Sequence, residues 1–329
     1  MTFQAAIVGL NKIGASIGLA LAAYPQSLTC VGYDEDPGVA NTAEKRGAVT
    51  KSYLALPRCV SQSKVIILAC PLDEVRQNLS IIADHAPQGA VVIDTSPNKT
   101  VVEAWAREIL PEKIYFTGWT LAQNPEQLHS YGLGVDAARG DLFENSLIGV
   151  NLPPGAPGEV LDLSSNLVTM LNAKPYFVDS VEADGLIAMG YELPRAAALA
   201  LLLATVDSPG WLEGRKLAGS DYAHGTLPVL SVGEREELGL SMRLNRDNTI
   251  RLINDLIDAL QTVQGYLAAE NDQGLSKAIE HAIEARMLWL AQRKRLSWDE
   301  IRQPDQSWRQ PLLGRWLDSR LKKGKPGED

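Results

Sequence analysis

The sequence predicts an α/β fold: an N-terminal doubly wound, mostly parallel sheet followed by an all-helical region. Three observations carry this. Short continuous runs of Val, Ile and Leu alternate with helical stretches through about the first 180 residues, the pattern of strands covered on both faces by crossover helices. The run "AAIVGLNKIGASIGLAL" (5–21) joins an apolar strand to a helix through a glycine-bearing turn. Beyond about residue 180 the strand-like runs stop and apolar residues recur at helical spacing.

The elements follow in order. "AAIVGL" opens the sheet, and a helix over 12–23 ends before Pro25. "LTCVGYD" (28–34) and "KVIILAC" (64–70) are the next strands, and a helix over 72–85 leads to "AVVIDTS" (90–96). "NKTVVEAWAREIL" is a helix with its cap near Asn98, followed by the strand "KIYFTGW" (113–119). "SLIGVNL" (146–152) and "KPYFVDS" (174–180) close the set, with a helix over 157–172 between them. In the second half, "AAALALLLATV" (196–206) reads as a buried helix, too short to span a bilayer. Ser231 and Glu234 offer a capping box. "NTIRLINDLIDALQTVQGYLAA" (248–269) and "LSKAIEHAIEARMLWLAQRKR" (275–295) are further helices. The expected domains are therefore 1–179, dinucleotide-binding; 180–295, helical; and 296–329, a basic tail.

Bulk properties narrow the classes. A chain of 329 residues exceeds one ordinary core. The net charge of −9 argues against nucleic acid as a partner. The N-terminus lacks a basic region and a cleavage pattern, so no signal peptide and no membrane association are expected. Cys30, Cys59 and Cys70 form no C-x-x-C, which suits small buried thiols in a reducing, cytoplasmic location. The four histidines are scattered, so no metal site is expected. The tail is basic and carries Trp298, Trp308 and Trp316, which are expected to dock on the acidic body or on a partner subunit.

The turn after the first strand reads Gly9-Leu10-Asn11-Lys12-Ile13-Gly14, one residue away from G-x-G-x-x-G. In such a Rossmann turn the first glycine allows the tight bend and the third lets helix pack on strand, while the second lets the backbone approach a pyrophosphate. Asn11 stands at that second position. Asparagine tolerates positive φ, and its amide offers a donor to a phosphate. Asp34 ends the next strand and is placed to bond the adenosine ribose and repel a 2′-phosphate, so NAD is expected over NADP. Ala69, Cys70 and Pro71 end their strand at the ligand edge of such a sheet. The candidate cofactor residues are thus Gly9, Asn11, Lys12, Ile13, Gly14, Asp34, Ala69, Cys70 and Pro71.

"IVGLNKIGASIGLALA…VGYDEDP", "VIILACP", "VVIDTSPNK" and above all "GVDAARGDLFEN" (134–145) resemble the prephenate/arogenate dehydrogenase family of tyrosine biosynthesis. "DSVEADGLIAMGYELPRAAALAL" is similar to the opening of that family's helical dimerisation domain, and "MRLNRDNTIRLINDLIDAL" to a later helix. The resemblance covers roughly residues 4–290. It implies NAD(P)-dependent oxidation of a ring hydroxyl with loss of a carboxylate as carbon dioxide, in a homodimer.

Several polar positions of the family are replaced. Its D-x-x-S-x-K reads Asp94-Thr95-Ser96-Pro97-Asn98-Lys99, with Pro97 at the serine, and its G-H-P-M-A-G reads Gly118-Trp119-Thr120-Leu121-Ala122-Gln123, with Trp119 at the catalytic histidine. Its H-D reads Ala183-Asp184, its S-H-L-P-H reads Tyr191-Glu192-Leu193-Pro194-Arg195, and its T-R falls on Thr226-Leu227. An insertion follows the histidine position, over 123–133. Asn98, Trp119, Glu192 and Arg195 are the substrate-pocket candidates; Trp119 either stacks on the nicotinamide or fills space, Arg195, one helical turn from Glu192, either binds a carboxylate or forms an ion pair within or between subunits, and Lys99 is expected to neutralise Asp94 or face solvent. Two readings follow. One is an NAD-dependent dehydrogenase of this type acting on its usual substrate or another small carboxylate. The other is a catalytically inactive NAD-binding or scaffold homologue.

Overall fold

The computed structural model describes residues 3–130, 132–230 and 235–298. The Ser231–Glu234 capping box and the tail beyond residue 298, with Trp308 and Trp316, lie outside the described residues. The first half alternates as β1 (Phe3–Val8), α1 (Lys12–Leu21), β2 (Leu28–Tyr33), α2 (Pro37–Lys45), β3 (Lys51–Tyr53), α3 (Leu56–Val60), β4 (Val65–Leu68) and α4 (Leu72–His85). It continues as β5 (Val91–Asp94), α5 (Lys99–Ile109), β6 (Tyr115–Leu121), β7 (Leu147–Asn151), α6 (Gly158–Met170) and β8 (Lys174–Phe177). The eight strands form one sheet in the order β3-β2-β1-β4-β5-β6-β7-β8, parallel except where β7 runs antiparallel to β6. The short edge strand β3 had no strand signal in the sequence, because it is three residues long and none of them is buried.

Alternation in the strands feeds two cores. Ala5 and Ile7 of β1 pack on one face with Ile93, Trp119, Val150 and Phe143. Ala6 and Val8 pack on the other with Ile66, Leu68, Val92 and Phe116. Both faces of the central strands are covered, which is why β1, β4 and β5 read as apolar runs.

After β8 only helices follow among the described residues: α7 (Ser180–Ile187), a π-helical turn (Ala188–Glu192), α8 (Leu193–Val206), α9 (Trp211–Gly214), α10 (Ser220–Thr226), α11 (Arg235–Leu244), α12 (Arg246–Ala268) and α13 (Asp272–Arg295). The chain divides into two compact units, Met1–Ile253 and Asn254–Asp329. The first holds the sheet together with α7 to α11. The change from strands to helices and the division by compactness therefore fall at different places.

The run 196–206, expected as a buried helix, is largely exposed: α8 buries only Ala198, while Leu203 is 61% exposed. Within one copy of the chain, α10 and the turn Leu227–Val229 cover only part of α8. Ser180–Val206 as a whole is long and apolar enough to cross a membrane. In the second unit, Ile257, Leu260, Val263 and Leu267 of α12 and Ile279, Ile283, Met287, Leu288 and Trp289 of α13 are exposed.

Candidate functional site

The site is built at the carboxyl ends of the parallel strands, where an open α/β sheet receives ligands. Gly9 follows β1 with φ +88°, and a Cβ there would lie 2.4 Å from the Cys70 amide nitrogen. A Cβ on Gly14 would lie 1.9 Å from the Gly9 carbonyl oxygen. Both glycines are therefore required, one by backbone conformation and contact with the end of β4, the other by the packing of α1 on its own turn.

Asn11 departs from the sequence-based expectation. Its φ is −64° and ψ −169°, extended backbone with no need for a residue that tolerates positive φ. It is the N-cap of α1: its Oδ1 accepts from the amides of Ile13 at 2.9 Å and Gly14 at 3.2 Å. Its Nδ2 donates to the Ala69 carbonyl at 2.8 Å, so the amide expected to face a phosphate is spent on the end of β4. Lys12, next in the turn, has its ammonium pKa lowered by burial.

Asp34 sits directly after β2. One carboxylate oxygen accepts from the Leu10 amide at 2.7 Å and the other from the Asp36 amide at 3.0 Å. Burial pushes its pKa up, against the pull of these two amides. Glu74, at the start of α4, is pushed up to about 7, first by burial and then by Glu35, Asp73 and Asp34. The structure thus brings together Gly9, Asn11, Gly14, Asp34, Ala69 and Cys70. The Cys70 thiol is buried, accepts from Asn78 Nδ2 at 3.2 Å, and has its pKa raised by burial.

A second polar group lies beyond β5. Lys99 is fully buried and its Nζ donates to Asp94 Oδ2 at 2.8 Å and the Asp94 carbonyl at 3.0 Å, the neutralising role read from the sequence. Burial lowers its pKa and Asp94 opposes the shift. Asn98 occupies the N-cap position of α5, but its side chain does no capping. That task falls to Asp184 of α7, whose oxygens accept from the amides of Lys99 at 2.6 Å and Thr100 at 3.1 Å. Asn98 Nδ2 instead donates to the Ser241 carbonyl at 3.0 Å. The Asn98 Oδ1 and Ser96 Oγ are buried with no hydrogen-bond partner among the described residues.

Glu192 and Arg195 take different surroundings. Glu192 is buried in the π-helical turn and accepts from Ser241 Oγ at 2.7 Å, Thr249 Oγ1 at 2.6 Å and Asn245 Nδ2 at 3.2 Å. Burial raises its pKa, opposed chiefly by the hydroxyls of Thr249 and Ser241. The Arg195 guanidinium lies over the Tyr191 ring, 5.6 Å from its centroid. No Glu192–Arg195 ion pair is found: three donors, from α11, α12 and Asn245 between them, hold the carboxylate. Ser241 and Thr249, which complete this cluster, had no sequence signal: they lie 49 and 57 residues from Glu192.

Trp119 is not a pocket residue. β6 continues to Leu121, paired with β7, so strand alternation turns Trp119 into the core opposite Val150. It is fully buried, and its Nε1 donates to Ser164 Oγ of α6 at 2.7 Å. A cleft of about 360 Å³ opens beside Asp184, lined also by Thr100, Arg243, Asn245 and Arg246. None of its walls comes from the glycine turn or from Ala69–Pro71, so it is not the cofactor cradle.

A doubly wound sheet, a glycine turn into α1 and an acid after β2 define a Rossmann-type nucleotide-binding domain for an NAD-type cofactor, the domain of an oxidoreductase. Residues 17–176 match the prephenate dehydrogenase nucleotide-binding domain. The chain is 27% identical over 296 residues to Probable prephenate dehydrogenase NovF of Streptomyces niveus, covering 85% of this chain and 75% of that protein. Its fold is similar to prephenate dehydrogenase from A. aeolicus, solved with hydroxyphenyl propionate and NAD+ (TM-score 0.76, 17% identity, 87% of this chain and 98% of that one). It is also similar to Synechocystis arogenate dehydrogenase (TM-score 0.68, 19% identity, 87% and 100%). Together these similarities support a member of the prephenate/arogenate dehydrogenase family.

Proposed function

We propose that this chain is an NAD-dependent dehydrogenase of the prephenate/arogenate type, acting on a small hydroxyl-bearing carboxylate as a homodimer in a reducing compartment. The observation that carries the reading is the cradle in which Gly9, Gly14 and Asp34 meet at the carboxyl ends of β1 and β2. NAD would supply the hydride acceptor. Asp34 would bond the adenosine ribose, and the acids Asp34, Glu35, Asp36 and Glu74 would repel a 2′-phosphate, favouring NAD over NADP. Ser96 and Asn98, with their unpartnered buried oxygens beyond β5, are the polar groups we assign to the substrate side. The group that takes the hydroxyl proton is not at the family's histidine position, since Trp119 lies in the core.

A second reading, an NAD-binding homologue without turnover, is favoured by that same burial of Trp119. The exposed apolar residues of α8, α12 and α13 are the faces we assign to a second copy. In the Ser180–Val206 segment, Asp184 and Glu192 are tied by hydrogen bonds to the folded unit, which supports packing against protein over insertion in a bilayer.

Calorimetric titration with NADH and with NADPH, followed by NADH formation with prephenate and with arogenate, tests the proposal. Binding of NADH with turnover of either substrate supports the dehydrogenase. Binding without turnover on these or related carboxylates supports the second reading. Absence of binding up to millimolar NADH overturns both. Sedimentation of the full chain tests the dimer.

A further inference from the structure

We infer that Asn11 is an internal stand-in for the dinucleotide phosphate, so that the cofactor must displace its side chain to bind; the inference rests on the NAD reading above. The N-terminal amides of a helix are the groups a phosphate takes in such a turn. Here two of them are bonded within the chain. Ile13 and Gly14 donate to Asn11 Oδ1, and Leu10 donates to Asp34.

The third Asn11 bond, from Nδ2 to the Ala69 carbonyl, fixes the side chain over the turn rather than leaving it free to swing. It also staples the glycine turn to the end of β4, where Gly9 and Cys70 are already in backbone contact. A glycine at position 11 would leave the Ile13 and Gly14 amides open to a ligand at no conformational cost to it.

The plug is one that an anion can lift. Asn11 is neutral, and α1 has no acidic residue in its first turn. A phosphate oxygen makes stronger, charge-assisted bonds to the same amides than a carboxamide does, and the helix terminus favours its charge. Apparent affinity is then the intrinsic affinity reduced by the fraction of molecules with Asn11 turned away. Asn11 is in this sense a determinant of cofactor affinity that acts by competition.

The test is calorimetric titration of NADH into the wild type, Asn11→Gly and Asn11→Asp, with the melting temperature of each unliganded protein. Asn11→Gly should bind NADH roughly tenfold tighter while melting at a lower temperature, having lost a cap and the bridge to Ala69. Asn11→Asp keeps the cap, holds the amides with a charge and repels the pyrophosphate, so it should bind roughly tenfold or more weaker while still folding. Equal or weaker binding by Asn11→Gly overturns the inference and leaves the NAD reading standing. No binding by either the wild type or Asn11→Gly at millimolar NADH overturns the NAD reading and the inference with it.

Discussion

Asp184 of α7 caps a helix that begins 85 residues earlier in the chain, its two oxygens accepting the amides of Lys99 and Thr100. The same residue offers its carbonyl to Asn245 Nδ2 at 2.8 Å. One residue, through its carboxylate and its backbone carbonyl, thus ties α5, α7 and the residue before α12 together behind the site.

Removing that cap should be felt in stability. Asp184→Ala should cost about 1–2 kcal/mol, the range of a lost N-cap, because two amides of α5 lose their acceptor. Asp184→Asn keeps one acceptor oxygen and should recover part of the loss. Urea denaturation of the three proteins measures it.

The Lys99–Asp94 pair is buried at both ends. Lys99→Met leaves the Asp94 carboxylate without its cation, and breaking a buried pair from one side costs about 3–5 kcal/mol. The double variant Lys99→Met with Asp94→Leu should be more stable than Lys99→Met alone. A double variant no better than the single one would show that the pair is not what the single change disrupts.

Glu74 gives a pH dependence with a definite sign. Its folded pKa, about 7, lies above the ordinary carboxyl value of 4.5. The folded protein therefore holds this proton more tightly than the unfolded chain does. The associated stability is fully present below pH 4.5 and is lost as pH rises through about 7. Glu74→Gln should melt above the wild type at pH 8, with the gap closing toward acid. A gap independent of pH would contradict the assignment.

Trp119→His would reinstate the residue the family carries at this position. In this chain it should destabilise by about 3 kcal/mol or more, as a large core side chain is cut down, and give no gain in turnover. Bound NADH should likewise leave Trp119 chemically unaltered in its bond to Ser164. A gain in turnover by Trp119→His would show that position 119 faces the substrate.

Much of the scaffold is legible in the sequence. Apolar runs marked seven of the eight strands: in β1, β4 and β5 burial on both faces leaves little polar alternation, whereas the edge strand β8 kept apolar residues although it is largely exposed. Gly9 and Gly14 were legible because only glycine satisfies a backbone demand of that kind. The sequence reads Lys99 as neutralising Asp94 or facing solvent, and with the two on adjoining elements five residues apart it takes the first role.

The candidate site was less legible, for reasons that differ by residue. Asn98 looked like a helix cap on local grounds, yet a carboxylate from elsewhere did the capping and freed Asn98 to reach Ser241. Glu192 and Arg195 stand at helical spacing that suits a pair, yet Ser241 of α11, Thr249 of α12 and Asn245 between the two converge on the carboxylate. Neither outcome is encoded within a short window of sequence.

The sequence by itself determined the apolar strand runs and the helical patterns, the glycine turn and the acid that follows β2, since each is a local property of a few adjacent residues. Only the tertiary structure decided where the side chains of Asn11 and Trp119 point. Asn11 turns inward because the Ala69 carbonyl, 58 residues away, lies within reach of its amide. Trp119 turns inward because pairing with β7 extends β6 by two residues past it, and each further residue of a strand fixes which face its neighbours take.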